Sequence, residues 1–314
     1  MERLKVGVFG VGSLGRHHAR IYAANEAVDL VGVFDLDAAR AGEVAHEHGT
    51  VSFEDPCDLA ARIEAASVVV PTDRHHDVAA ELLRRKIHLL VEKPISSTTA
   101  QAEAMVRMAQ EQGVIMQVGH VERFNPVMDY LEANLTQPRF IEVTRLAPYP
   151  PRREGAAPRG TEVSVVLDLM IHDLEIIMHI VRSPVREIHA IGVPVLSPTE
   201  DIANVRLVFE SGCVANVTAS RISRERMRKL RVFQEETYLS LDYMNQTGQL
   251  LRKTASGIVP AEVPIEKREP LAAELDAFVQ CVLSRRTPVV TGEHASNALK
   301  LAVEICRTIR ERPG

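Results

Sequence analysis

Three glycines, Gly10, Gly12 and Gly15, stand in GxGxxG spacing within VGVFGVGSLGRHHA, after a run of apolar residues and before a helical pattern. Glycines so spaced allow a tight turn, let the backbone approach a pyrophosphate and let a helix pack closely on a strand. The helix start then offers amide donors to the phosphates. Ser13 and Leu14 lie inside the turn and complete the candidate dinucleotide cradle. Asp35 ends the next apolar run, where a carboxylate can accept from ribose hydroxyls and would repel a 2′-phosphate, so NAD is expected over NADP.

Further along, VVVPTDRHHDVA puts Pro71, Thr72 and His75 at the end of an apolar run, and VEKPIS puts Glu92 and Lys93 at the end of another. Ligands of open parallel sheets bind at such carboxyl edges. Lys93 precedes Pro94, which restricts the local backbone and favours a positioned cation over a freely solvated one. His75 fits a cofactor contact and a plain helix-start residue equally. In SVVLDLMIHDLEIIMHI, Asp168 and His172 are four apart and share a helical face. A histidine there can take a proton from a hydroxyl while the carboxylate orients it, and a purely structural pair has the same spacing. Asp173 adjoins His172 and periodicity does not exclude it.

Two basic clusters remain. TRLAPYPPRREGAAPR carries Arg145, Arg152, Arg153 and Arg159 around a proline-rich loop, and SRISRERMRKLR has six basic residues and one acid. Such clusters are ordinarily solvated faces or charge-protected strand edges. Arginine forks close to a cleft also pair well with phosphate oxygens.

The elements that must position these residues follow from the apolar pattern. Short runs at Leu4–Phe9, Val28–Phe34, Val51–Phe53, Ser67–Val70, His88–Val91 and Ile115–Val118 alternate with helical stretches, which predicts a doubly wound parallel sheet. A helix is expected after Asn125-Pro126, a strand over Phe140–Leu146, a helix over Val163–Val181, then strands from Val185 to about Val263 without intervening helices. Such a run predicts a large, mostly antiparallel sheet in an α+β domain. Helices over Leu271–Ser284 and Glu293–Arg310 close the chain. The expected division is a dinucleotide-binding domain over 1–120 and a second domain over 121–314, with the helix 293–310 packing back near the first.

Composition limits the partners. Across 314 residues, Lys plus Arg total 37 against 42 Asp plus Glu, a net charge of −5 that argues against dominant nucleic-acid binding. No apolar run approaches the roughly 18 residues of a membrane span. The chain opens directly into a strand without a leader pattern, so a cytoplasmic location is expected. Cys57, Cys213, Cys281 and Cys306 are widely spaced and are expected reduced, with no metal site.

The ordered set of GxGxxG, then Pro71, Thr72 and His75, then Glu92-Lys93-Pro94, then Asp168 and His172 resembles the glucose-fructose oxidoreductase/inositol dehydrogenase/MocA family, over nearly the whole chain. That resemblance implies a Rossmann domain joined to an open-sheet domain, oxidation or reduction at sugar hydroxyls with NAD or NADP, and catalytic roles for Lys93, Asp168 and His172. It also implies a homodimer or homotetramer. A glycine-rich stretch that many members carry before the Asp/His helix is replaced here by Thr161-Glu162-Val163-Ser164. The segments GHVERFNP, RLAPYPPR, VVLDLMIHD and ASRISRERMRKLRVF look like one branch, bacterial UDP-N-acetylglucosamine 3-dehydrogenases. A nucleotide-sugar substrate held by Arg123, Asn125, Arg145, Arg152 and Arg153 is the corresponding expectation. The rivals are a free-polyol dehydrogenase such as one for inositol, an inactive dinucleotide-binding regulator, and a reductase of a non-sugar double bond.

Overall fold

The computed structural model describes residues 3–151, 158 and 160–311, so Arg152, Arg153 and Arg159 lie outside the described residues. By contact the chain forms two compact units, Met1–Phe124 with Glu269–Asn297, and Asn125–Arg268 with Ala298–Gly314.

The first unit is built on β1 (Leu4–Phe9), α1 (Gly15–Ala24), β2 (Val28–Phe34), α2 (Ala38–Glu47), β3 (Val51–Ser52), α3 (Pro56–Ala60), β4 (Ala65–Val68), α4 (Thr72–Arg84), β5 (His88–Glu92), α5 (Thr99–Gln112) and β6 (Met116–Gly119). Its six strands run in the order β3-β2-β1-β4-β5-β6, all parallel. The order reverses between β1 and β4, the switch point where doubly wound sheets bind ligands. Both faces of β4 and β5 are buried, as their near-continuous apolar runs require in a sheet covered on two sides. Local chemistry starts the helices: the Asp37 side chain accepts from the Arg40 amide at α2, and Thr98 accepts from Gln101 at α5, which ends on left-handed Gly113.

The second unit contains α6 (Pro126–Asn134), β7 (Phe140–Leu146), α7 (Ile171–Val181), β8 (Val185–Val193), β9 (Ile202–Phe209), β10 (Val214–Ser220), β11 (Met227–Phe233), β12 (Thr237–Asp242), β13 (Thr247–Thr254) and β14 (Gly257–Ala261). The eight strands run β14-β13-β12-β11-β7-β10-β9-β8, antiparallel except for the parallel pair β7/β10. Alternating burial along β7 and β10 leaves one face of the sheet covered and the other open.

The closing helices are α8 (Pro270–Ser284) and α9 (Gly292–Glu311). Although α8 follows the second sheet in sequence, its apolar stripe of Leu275, Phe278, Val279 and Val282 enters the core cluster of Val6, Val8, Tyr22 and Val28. That burial explains why Glu269–Asn297 joins the first unit instead of the division falling once, at residue 120. The helix expected over Val163–Val181 is also altered. Residues Val166–Met170 form a π-helical turn, in which the Ile171 amide donates to Val166 five residues back, and only then does α7 begin. Among the described residues no helix is long and apolar enough to cross a membrane.

Candidate functional site

In the first unit the glycine turn meets each requirement of a dinucleotide cradle. Gly10 has φ +88°, and a Cβ on it would lie 2.6 Å from the Val69 carbonyl oxygen. A Cβ on Gly15 would fall on the Gly10 carbonyl. At Gly12 a Cβ would meet no protein atom within 4 Å, so its backbone is open to close approach from outside. The first turn of α1 has no acidic side chain and no side-chain cap, so its positive end is not neutralised locally. Asp35 braces this turn: Oδ2 accepts from the Val11 amide at 2.8 Å and Oδ1 from the Asp37 amide at 2.9 Å. A carboxylate offers about four acceptor sites, so capacity remains for ribose hydroxyls. These residues fit NAD: Gly10, Gly12, Ser13, Leu14 and Gly15 would hold its diphosphate and Asp35 its ribose. Arg40 stands 3.5 Å from Asp35 Oδ1, a cation that sequence reading did not single out.

The carboxyl edges of β4 and β5 are locked together. Pro71 is the N-cap residue of α4 and Thr72 its first residue. His75 is buried, with Nε2 2.9 Å from the Val70 carbonyl and Nδ1 2.9 Å from that of Pro94. Burial holds its pKa below the usual imidazole value, against the pull of the two carbonyls. His75 thus braces the loop after β4 against the Glu92-Lys93-Pro94 loop. The Glu92 carboxylate accepts from the Lys93 amide at 3.1 Å and faces His18 Nε2 at 3.3 Å. It lies so close to Gly119 that a Cβ there would come within 2.8 Å. Lys93 itself is half-buried.

His120, missed from sequence, belongs with this edge. Glu92 pairs with Gly119 in the β5/β6 ladder, so Lys93 and His120 each stand one residue beyond it. His120 is buried, and its pKa is pushed down to about 3, first by burial and then by the charges of Lys93 and Arg123. Its position after the sixth apolar run was the available signal. Behind the edge, His18 Nδ1 lies 3.1 Å from Ser67 Oγ, which is 2.9 Å from the Tyr22 hydroxyl. Glu274 of α8 is fully buried, and burial followed by the negative charge of Glu92 raises its pKa. No local pattern announces that carboxyl.

In the second unit Asp168 lies in the π-helical turn and His172 in the first turn of α7, both half-buried. Gly160, at φ +82°, lets the Asp168 carboxylate close on it: a Cβ would stand 2.5 Å from Oδ2. The competing carboxylate is accounted for. Asp173 receives both arms of the Arg145 guanidinium, Nε to Oδ2 at 2.7 Å and Nη2 to Oδ1 at 2.8 Å, with both residues buried. Arg145 therefore braces β7 against α7, and its fork is not open to a phosphate at those atoms. Asn125 is likewise in use, accepting from the Val127 amide as the cap of α6 and donating to the Tyr243 carbonyl at 3.0 Å. Arg123 is buried in the 3₁₀ turn Val121–Phe124 of the first unit. Among the described residues no group of three or more His, Cys, Asp or Glu is placed to hold a metal ion.

Residues 4–120 match the GFO_IDH_MocA family, described as an oxidoreductase family with an NAD-binding Rossmann fold, and residues 132–240 match the GFO/IDH/MocA C-terminal domain. The chain is 35% identical over 312 residues to UDP-N-acetylglucosamine 3-dehydrogenase of Acidithiobacillus ferrooxidans, covering 97% of each chain. A solved structure of that enzyme superposes with a TM-score of 0.92, covering 98% of each chain at 35% identity. The scyllo-inositol 2-dehydrogenase (NAD(+)) of Bacillus subtilis is 26% identical, over 98% of this chain and 95% of its own.

Proposed function

Because this chain belongs to the Gfo/Idh/MocA family of NAD-dependent oxidoreductases, we propose that it oxidises a sugar hydroxyl to a ketone, at C3 of UDP-N-acetylglucosamine or a related UDP-sugar. The observation that carries the substrate class is the end-to-end 35% identity to the Acidithiobacillus enzyme, against 26% to the inositol enzyme. NAD, when bound, supplies the hydride acceptor. The chain's own residues must then hold the sugar and take the hydroxyl proton as the carbon–oxygen double bond forms. Lys93, at a strand edge braced by Glu92, His75 and Pro94, is the candidate for stabilising alkoxide charge. His172, oriented by Asp168, is the candidate base. A kinetic comparison of variants at the two positions assigns the proximal base.

Arg123, Asn125, Arg152 and Arg153 remain proposed substrate contacts. Arg145 enters the proposal only as the brace of α7. The free-polyol reading has one observation in its favour, because the Arg145 fork is taken by Asp173. The deciding experiment follows NADH formation with UDP-linked N-acetylhexosamines, free hexosamines and inositols. Turnover confined to the UDP-sugars supports the proposal, and turnover of inositols alone overturns it. The proposal includes a cytoplasmic homodimer or homotetramer built through the second sheet, where Ile191, Val193 and Ile258 are exposed. Light scattering reports the assembly.

A further inference from the structure

Most of the basic cluster after β10 behaves as a charge run should: Arg224, Arg226 and Arg228 are exposed. Arg221 is the exception, buried at 2% exposure. Its Nε donates to Asp201 Oδ1 at 2.8 Å, and Nη1 to the Gly160 and Val163 carbonyls at 2.5 and 2.9 Å. Nη2 donates to Thr199 Oγ1 at 2.9 Å and to the Glu200 carbonyl at 3.1 Å. A guanidinium has five N–H groups, and here each has an acceptor. The counter-ion is equally committed. Asp201 Oδ2 accepts from the amides of Val195, Leu196 and Ser197 at 2.9, 2.6 and 2.8 Å. Despite its burial, these bonds and Arg221 hold its carboxyl below the usual range. Burying two charges costs more than an apolar pair of the same volume, so stability alone is a weak reason for the arrangement.

What the pair grips suggests the reason. Gly160 and Val163 belong to the segment that runs directly into the π-helical turn. The Thr199 hydroxyl ties to the same segment, at the Val163 carbonyl. The Val165 amide donates to Glu200, the Val166 amide to Ser164 Oγ, and the Asp168 amide to the Ser164 carbonyl. The Gly160 Cα is the surface on which the Asp168 carboxylate rests.

We propose that Arg221, with Asp201 as its counter-ion, is a positioning residue that sets Gly160 and the start of the π-helical turn, and so fixes how Asp168 addresses His172. This rests on the reading that Asp168 and His172 handle the substrate proton. All five Arg221 donors are used within the chain, so its effect belongs in turnover and in the titration of His172, with little effect on cofactor affinity.

The test uses Arg221→Lys, which keeps the charge but has three donors for five acceptors, and Gly160→Ala, which reaches the same carboxylate while leaving both charged side chains of the buried pair in place. Arg224→Lys is the exposed control. For Arg221→Lys the expected loss in kcat is about 30-fold, the scale of a sub-ångström to 1 Å misplacement, with the affinity for NADH within twofold of wild type. The acid limb of the kcat profile should move toward that of Asp168→Asn, and the His172 titration, read by NMR without substrate, should move with it. A merely structural role would lower the active fraction and leave both titrations in place. Loss of kcat with both titrations unmoved therefore overturns the proposal, as does wild-type behaviour in both variants. If Arg221→Lys does not fold, Gly160→Ala decides. If the wild type turns over no sugar, the functional reading fails, and an unmoved His172 titration in the variants overturns this inference separately.

Discussion

Cofactor choice should reverse with a single substitution, Asp35→Ser. The Asp35 carboxylate is 12% exposed and already accepts from two amides, at 2.8 and 2.9 Å. Hydrogen bonds from ribose hydroxyls to its remaining lone pairs contribute about 1.5 kcal/mol each or more, so losing two weakens NAD by about 3 kcal/mol, or roughly 10²-fold. A 2′-phosphate beside the carboxylate suffers a repulsion of about 4 kcal/mol per unit charge pair at roughly 4 Å and an effective dielectric of about 20. Serine removes that repulsion. Arg40 loses its 3.5 Å contact with Asp35 but keeps its 2.9 Å pair with Asp37, so it is only partly freed to face the phosphate. Because Arg40 is 46% exposed, its own contribution is about 1 kcal/mol at most. The first two effects together, about 7 kcal/mol, shift the NADP-to-NAD preference by roughly 10⁵-fold, without a second substitution. The assay is the fluorescence of NADH and NADPH titrated with protein, which needs no sugar and is undisturbed by tryptophan, since the chain has none. A wild type that binds NADPH as tightly as NADH refutes the reasoning, and so does an Asp35→Ser variant with an unchanged ratio.

Lys93→Met and His172→Ala should each lower turnover by at least about 10²-fold, the usual scale for acid–base groups, while NADH still binds; unchanged steady-state rates in both would move the chemistry elsewhere. Gly12→Ala adds a methyl that meets no protein atom within 4 Å, so the melting temperature should hold while NADH affinity falls by about tenfold or more. Equal affinity would mean the dinucleotide does not approach this turn. His120 gives stability a pH dependence. An unfolded imidazole titrates near 6.5 and His120 in the fold near 3, so between these values the unfolded chain binds the extra proton. Its contribution is complete above about pH 6.5 and falls as the pH drops, by up to about 1.4 kcal/mol per unit. Urea unfolding from pH 7 to 5 should show a shallower fall for His120→Asn, and identical slopes would contradict the burial argument.

Local physical chemistry made much of this protein legible. Alternating apolar runs gave the parallel strands, and the strand–GxGxxG–helix order gave the cradle, because both depend on residues within one or two turns of each other. The strand Phe140–Leu146 and both closing helices were readable for the same reason. Asp37, Thr98 and Asn125 start their helices through bonds spanning two or three residues. What only the tertiary structure decided were the partners of buried charge. Periodicity does not exclude Asp173 as a rival to Asp168, yet Arg145, 28 residues before Asp173, claims it and leaves Asp168 beside Gly160. Arg221 looks like its solvated neighbours until the strand register brings it to the Gly160 carbonyl, 61 residues away. Glu274 reaches Glu92 only because the apolar stripe of α8 buries on the first sheet. A hydrophobic pattern states which face is buried. Which polar groups meet behind that face depends on register and packing between segments far apart in the chain, and the free energy that selects them exists only once water has been excluded there.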